Sequence, residues 1–170
     1  MHTKEAIRFS LSLAEHAVTG PLAKIKDAPM TFPTGMGGCH PLWVMGHLAV
    51  VEGMTHQILA GGENPVASWA PLFGQETIAT ADATHYPGID EVCARYTQLR
   101  EKNLKLLDSL SESDLDRPTT WQPKGVEEHF ATYGKALLTL ALHQAFHRGQ
   151  LTDAIRSAGR VEGIPAVAAA

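Results

Sequence analysis

The stretch Tyr133–Ala158 carries Tyr133, Leu137, Leu140, Leu151, Ala154 and Ala158 at steps that return to one side of a helix. That spacing has the period of an α-helix and not the two-residue alternation of a half-buried strand. His143 and His147 occupy the same stripe, between Leu140 and Leu151. The pattern predicts a long helix whose inward face is interrupted by two imidazoles one turn apart. Neutral imidazoles in an apolar interior need partners for both ring nitrogens. Whatever packs against this helix must therefore supply them.

Three further stretches show the same periodicity. Ile7, Leu11, Ala14 and Val18 predict a helix from about Thr3 into the twenties, with Pro21 either breaking it or opening a further turn. A second helix is predicted from near Pro41, a favourable first-turn residue, to about Ala60, where Gly61-Gly62 stops it. Its inner stripe reads Trp43, His47, Val50, Val51, Met54 and Ile58. A third runs from about Ile89 to Leu110 with Val92, Tyr96, Leu99, Leu106 and Leu110 inward. The fourth starts between Val126 and Tyr133 and closes at Gly159. No stretch alternates as a strand would, so the fold class expected is all-α, a four-helix bundle forming one domain over residues 1–170.

The connections are uneven. Phe32–Gly38 is a Gly- and Pro-rich loop, and the apolar tail Val161–Ala170 has no predicted form. Residues 61–87, with Pro65, Pro71 and Pro87, are long for a loop in a small domain. Such a segment either crosses the bundle from end to end or folds over a site, with a short helical piece expected near Phe73–Ala79. Its length allows the second and third helices to run parallel.

Composition removes several functions. A formal net charge of −4 without any block of Lys or Arg argues against a nucleic-acid partner. No apolar run approaches the roughly 20 residues of a membrane span. The charged N-terminus, with Lys4, Glu5 and Arg8, reads as a first helix and not as a signal peptide. Cys39 and Cys93 are the only cysteines, and a core of this size needs no disulfide, so a reducing cytoplasm is expected.

An isolated pair of histidines four apart is more often a feature of a bundle rim than a ligand set. His47, inward on a second helix, changes that balance. Imidazoles at the spacing of His143 and His147 can share one divalent ion, and His47 would complete a facial set with coordination positions left open. Other candidates are weaker. His56 points to the opposite face from His47. His40 precedes Pro41, outside the helix. His129 lies about 21 Å from His143 if the helix is continuous. Cys39 reads as a loop thiol, and Glu52 as either a partner behind the ligands, a proton acceptor or, more simply, a solvated side chain. There is no Glu-x-x-His pair of the di-iron bundles and no H-E-x-x-H of the zincins.

The segments Trp43-Val44-Met45-Gly46-His47-Leu48 and His143-Gln144-Ala145-Phe146-His147-Arg148-Gly149-Gln150-Leu151 carry a resemblance. With Leu110-Ser111-Glu112-Ser113-Asp114-Leu115 and the stretch from Leu151 to Gly159, the chain resembles the DinB/YfiT-like metalloenzymes of the DinB superfamily. The resemblance implies a bundle in up-down-down-up order. It also implies His47, His143 and His147 as ligands of a divalent metal such as nickel, zinc or iron, with a homodimer as the common assembly. Relatives include transferases and isomerases that use a low-molecular-weight thiol. The glycine-rich approach to helix two, with Cys39, departs from the family pattern. Arg148, Gly149 and Gln150 read as structural: Arg148 at the surface or a dimer interface, Gly149 permitting close approach of a helix, Gln150 holding a ring N–H or a backbone group.

The expected function is a metal-dependent enzyme, a thiol-dependent S-transferase or isomerase acting on a small electrophile. A metal ion lowers the pKa of a thiol or water beside it and so supplies a nucleophile near neutral pH. Hydrolysis fits the spacing equally, and a non-catalytic metal- or ligand-binding bundle is the main rival. A helical dimer with incidental histidines is the third reading. The prolines and Trp69 of residues 61–87 are the expected substrate mouth.

Overall fold

The structure, a computed structural model, describes residues 2–25, 29–31 and 38–158. All of the loop expected at Phe32–Gly38 except Gly38, the stop at Gly159 and the apolar tail lie outside the described residues. Four long α-helices and one short one are present among the described residues: α1 (Thr3–Ala23), α2 (Pro41–Ala60), α3 (Ala70–Phe73), α4 (Ile89–Ser109) and α5 (Tyr133–Ala158). Among the described residues there is no strand, only an isolated bridge between Pro118 and Thr132.

Local chemistry sets the helix ends. The His2 backbone N–H donates to Glu5 Oε2 at 3.1 Å at the start of α1. Pro21 sits inside its last turn and does not break it. At the start of α2 the Trp43 N–H donates to His40 Nδ1 at 3.0 Å, so His40 is the N-cap, with Pro41 following in the first turn. The other end of α2 stops at Gly61, whose φ of 77° is open to glycine and strained for other residues. Asp90 and Glu91 place negative charge at the N-terminus of α4, where the helix dipole favours it.

Side-chain pairings give the directions. Ile7 and Leu11 share a core with Tyr133 and Leu137, while Ala17 further along α1 meets Arg148, so α1 and α5 run parallel. Met45 shares a core with Val92 and Tyr96, and Glu52 meets Asn103, so α2 and α4 also run parallel. Lys4 and Arg8 bond to the end of α4, and His47 meets His143 while Leu59 meets Tyr133. The two pairs are therefore mutually antiparallel, which is the up-down-down-up order.

Two apolar clusters fill the bundle. One end holds Ile7, Leu11, Ile58, Leu107, Tyr133, Leu137 and Leu140. The other holds Val18, Leu42, Met45, Leu48, Phe73, Val92, Tyr96 and Leu151. Between them runs a belt of buried polar residues: Glu52 and Thr55 of α2, Arg100 and Asn103 of α4, and Gln144 of α5. His143 directly precedes Gln144 of this belt, while His47 lies five residues before Glu52, among Val44, Met45 and Leu48 of the second cluster.

Residues 61–87 run along α2 and dock into it. A Cβ on Gly46 would lie 2.3–2.5 Å from three ring atoms of Phe73, and one on Gly53 would lie 2.1 Å from Asn64 Oδ1. Both glycines leave room for this segment. Its helical piece falls at Ala70–Phe73 and not at Phe73–Ala79 as the composition suggested. Pro71 suits a first turn, and the Gly74 N–H closes the turn on the Ala70 carbonyl at 2.8 Å. Because α4, α5 and this segment surround it, α2 is buried nearly all round, and its expected stripe is only part of its inward surface. Val50, Val51 and Met54 are half-buried, whereas Glu52 and Thr55 are wholly enclosed.

Candidate metal centre

α2 delivers His47 and α5 delivers His143 and His147 to one point. The Nε2 atoms of His47 and His143 are 3.3 Å apart, and those of His143 and His147 are 3.1 Å apart. One ligand atom from each ring lies within 4.8 Å of the others. For metal–nitrogen bonds of about 2.0–2.1 Å at tetrahedral to octahedral angles, ligand nitrogens stand roughly 2.8–3.4 Å apart. The spacing therefore fits one ion.

The outer ring nitrogens fix the lone pairs. His47 Nδ1 lies 2.7 Å from the Phe73 carbonyl oxygen. A carbonyl only accepts, so the proton is on Nδ1 and Nε2 presents a bare lone pair. His147 Nδ1 lies 2.6 Å from Gln150 Oε1, and with the amide oxygen facing the ring the same assignment follows. Two lone pairs thus face His143 Nε2. His143 Nδ1 is buried with no partner among the described residues. A proton or a cation must sit among these nitrogens, since three lone pairs pointing at one spot repel.

Burial suits the rings to be neutral ligands. It holds His143 down to about 3, with His147 and His47 adding to the effect. His147 is lowered to about 4 by burial and then by His47. His47 is lowered by burial against the opposing pull of its Phe73 bond. Trp43 stacks on His47 with ring centres 4.9 Å apart and planes 7° from parallel. The Trp43 Nε1–H donates to Thr77 Oγ1 at 2.9 Å. The orientation of His47 is therefore set jointly by its own helix and by the 61–87 segment.

The other sequence candidates fall away from this point. His40 spends both ring nitrogens on the Trp43 N–H and on the Thr80 carbonyl, at 3.0 and 2.9 Å. His56 Nδ1 faces Asn103 Oδ1 at 3.2 Å, on the opposite side of α2 as expected. His129 is exposed in the turn before α5, and Cys39 is half-buried outside the cluster. Arg148 bonds to Thr152 and to the Ala17 carbonyl. Among the described residues no other element approaches within 4 Å of the Cβ position of Gly149, so none of the described helices makes the close approach expected there. Trp69 is half-buried and packs edge-on to Phe73.

Glu52 corrects the expectation of a solvated carboxylate. It is fully buried and accepts from Asn103 Nδ2 at 2.7 Å and Gln144 Nε2 at 2.6 Å, with Arg100 Nη2 at 2.5 Å. Burial outweighs the opposing pull of Arg100, Asn103 and Gln144 and leaves the carboxyl raised to about 7. Two amide donors and one guanidinium surround its oxygens, and they favour the charged form against the burial that opposes it. The signal for this cluster lay in α4, whose apolar stripe skips from Leu99 to Leu106. Arg100 and Asn103 fill that gap and both face inward.

A cavity of about 260 Å³ opens between α1, α2 and α4, lined by Met30, Met45, Cys93 and Tyr96 among others. None of the three converging histidines lines it. Burial pushes the Cys93 thiol up to about 11, with Asp90 adding to the effect, so it is a poor nucleophile near neutral pH.

No helix of the described residues is long and apolar enough to cross a membrane. No curated protein matches the chain. The family model described as the DinB superfamily matches residues 10–151, a span that contains all three converging histidines. The chain belongs to the DinB superfamily.

Proposed function

We propose that His47, His143 and His147 hold one divalent metal ion, and that the protein is a metal-dependent enzyme joining a low-molecular-weight thiol to a small electrophile, as an S-transferase or isomerase. One observation carries the reading. Three Nε2 atoms converge at 3.1 and 3.3 Å while the outer nitrogens of His47 and His147 are engaged as donors. Such outer-nitrogen partners fix the tautomer and ring orientation of a metal-binding imidazole. Nickel, zinc and iron all accept imidazole ligands.

When bound, the ion supplies Lewis acidity that lowers the pKa of a thiol beside it. The protein's part is to hold three neutral rings in place and to keep competing groups away. Phe73 and Trp43 orient His47, and Gln150 orients His147. Glu52 is committed to Arg100, Asn103 and Gln144, so the belt offers no free carboxylate as a general base. Chemistry in which the co-substrate brings its own nucleophile suits such a site better than chemistry needing a protein base. The 61–87 segment, with Trp69 beside Phe73, is the proposed substrate mouth. A single-domain homodimer in the cytoplasm completes the reading.

The test is metal analysis of protein purified without a histidine tag, followed by a thiol-plus-electrophile screen with each candidate metal. About one ion per chain is expected, lost in His47→Ala and His143→Ala. Wild type with no more metal than those variants overturns the metal reading. Bound metal without thiol consumption for any pairing overturns the enzymatic one and leaves a metal-binding module.

A further inference from the structure

Eight large apolar side chains are exposed among the described residues, and five of them lie on the two neighbouring parallel helices α1 and α5: Phe9, Leu13, Leu138, Leu142 and Phe146. Phe146 is 78% and Leu142 56% exposed. On α5 they form one outward stripe, Lys135, Leu138, Leu142, Phe146, Gly149 and Asp153, at steps of three and four. This stripe lies opposite the inward face of Leu137, Leu140, Gln144 and Leu151. Apolar side chains in such a row mark an interaction surface.

We propose that this face binds a second copy of the chain, with α5 packed antiparallel on its counterpart about a two-fold axis between Leu142 and Phe146. The inference deepens the homodimer reading above, on which it rests, by assigning its surface and register. Three observations favour a second copy over an unrelated partner.

First, the stripe is self-complementary in charge. Lys135 and Asp153 stand eighteen residues apart, five whole turns, so they share a face and bracket the apolar row. A two-fold axis midway between them brings Lys135 to the partner's Asp153 and Asp153 to the partner's Lys135. Lys135 also meets Glu128 in its own chain. Second, the same axis sets Leu142 on the partner's Phe146, so large apolar groups meet across it. An isologous interface requires this kind of match. Third, Gly149 has open space around its Cβ position, as does Gly20 on α1. Nothing among the described residues demands glycine at 149, whereas a helix arriving from outside finds a flat surface there. One lysine and one aspartate flanking the row do not make the basic rim of a membrane-surface helix.

Sedimentation velocity over a range of concentrations tests the proposal. Wild type is expected at twice the 18.3 kDa chain mass. Leu142→Arg is expected to sediment as a monomer with unchanged helical circular dichroism, since the residue it replaces is exposed. Lys135→Asp sets like charges together and is expected to raise the dimer dissociation constant by about tenfold, and Lys135→Asp with Asp153→Lys to restore it. A monomeric wild type overturns the homodimer and this face together. A dimer untouched by Leu142→Arg, or a charge swap that fails to restore association, overturns the face and register alone.

Discussion

The buried pair of Glu52 and Arg100 shows how a single residue's surroundings decide its worth. Both side chains are wholly enclosed, and the guanidinium nitrogens have no hydrogen-bond partner among the described residues, Nη2 meeting Glu52 only as an ion pair. Arg100 therefore depends on one carboxylate for charge compensation. Removing one member of a buried ion pair costs roughly 3–5 kcal/mol, because the other charge is left unpaired, whereas replacing both is far cheaper. Glu52→Gln is thus expected to destabilise by about 3–5 kcal/mol, and adding Arg100→Met to recover more than half of it. Urea unfolding of the two variants gives the comparison. A double variant less stable than Glu52→Gln alone would show that the guanidinium is compensated by something other than Glu52.

Among the elements, the 61–87 segment has the least regular structure and the most direct hold on the candidate centre. Its Phe73 ring fills the space over Gly46, and its Phe73 carbonyl fixes His47. Gly46→Ala puts a methyl group 2.3–2.5 Å from ring atoms of Phe73, so α3 must shift away from α2. The overpacking is expected to cost about 1–3 kcal/mol in thermal or urea unfolding. Loss of the outer-nitrogen partner is expected to weaken metal binding by roughly 10–100-fold, read by titration with a competing chelator. Gly20→Ala, an exposed control with no neighbour within 4 Å, should leave that affinity alone. Unchanged affinity in Gly46→Ala would mean that the Phe73 contact does not orient His47. The path of this segment was not legible in the sequence, because it depends on a phenylalanine finding a glycine twenty-seven residues earlier. The long helices were legible because their periodicity is local, and so was the candidate histidine set, since inward positions on two helices place it. Glu52 escaped because α2 is enclosed on nearly every side, so no polar face remains to set it apart.

At the scale of the whole molecule, two apolar clusters, each drawing on several helices, hold the bundle, and the converging histidines border the one that contains Trp43, Leu48 and Leu151. Apart from Trp43, which stacks on His47, the members of these clusters pack on other apolar side chains and need no ion to do so. Metal removal is therefore expected to leave the helical circular dichroism intact and to lower the unfolding temperature only by the linkage term. That term is about 2.7 kcal/mol when the free metal had been a hundredfold above its dissociation constant. The metal-free protein should also become acid-sensitive in a defined direction. All three imidazoles are held below their ordinary value, to about 3 for His143 and about 4 for His147. As pH falls below about 6.5 the unfolded chain takes up protons that the folded chain refuses, so stability present above that pH is progressively lost towards those lower values. Thermal melts of chelated protein at pH 7.5, 6 and 5 should show this decline, and His143→Gln with His147→Gln should flatten it. Collapse of the helical signal on chelation at pH 7.5 would contradict the account, since it would make the ion a structural element of the fold and not a replaceable occupant of a preformed centre.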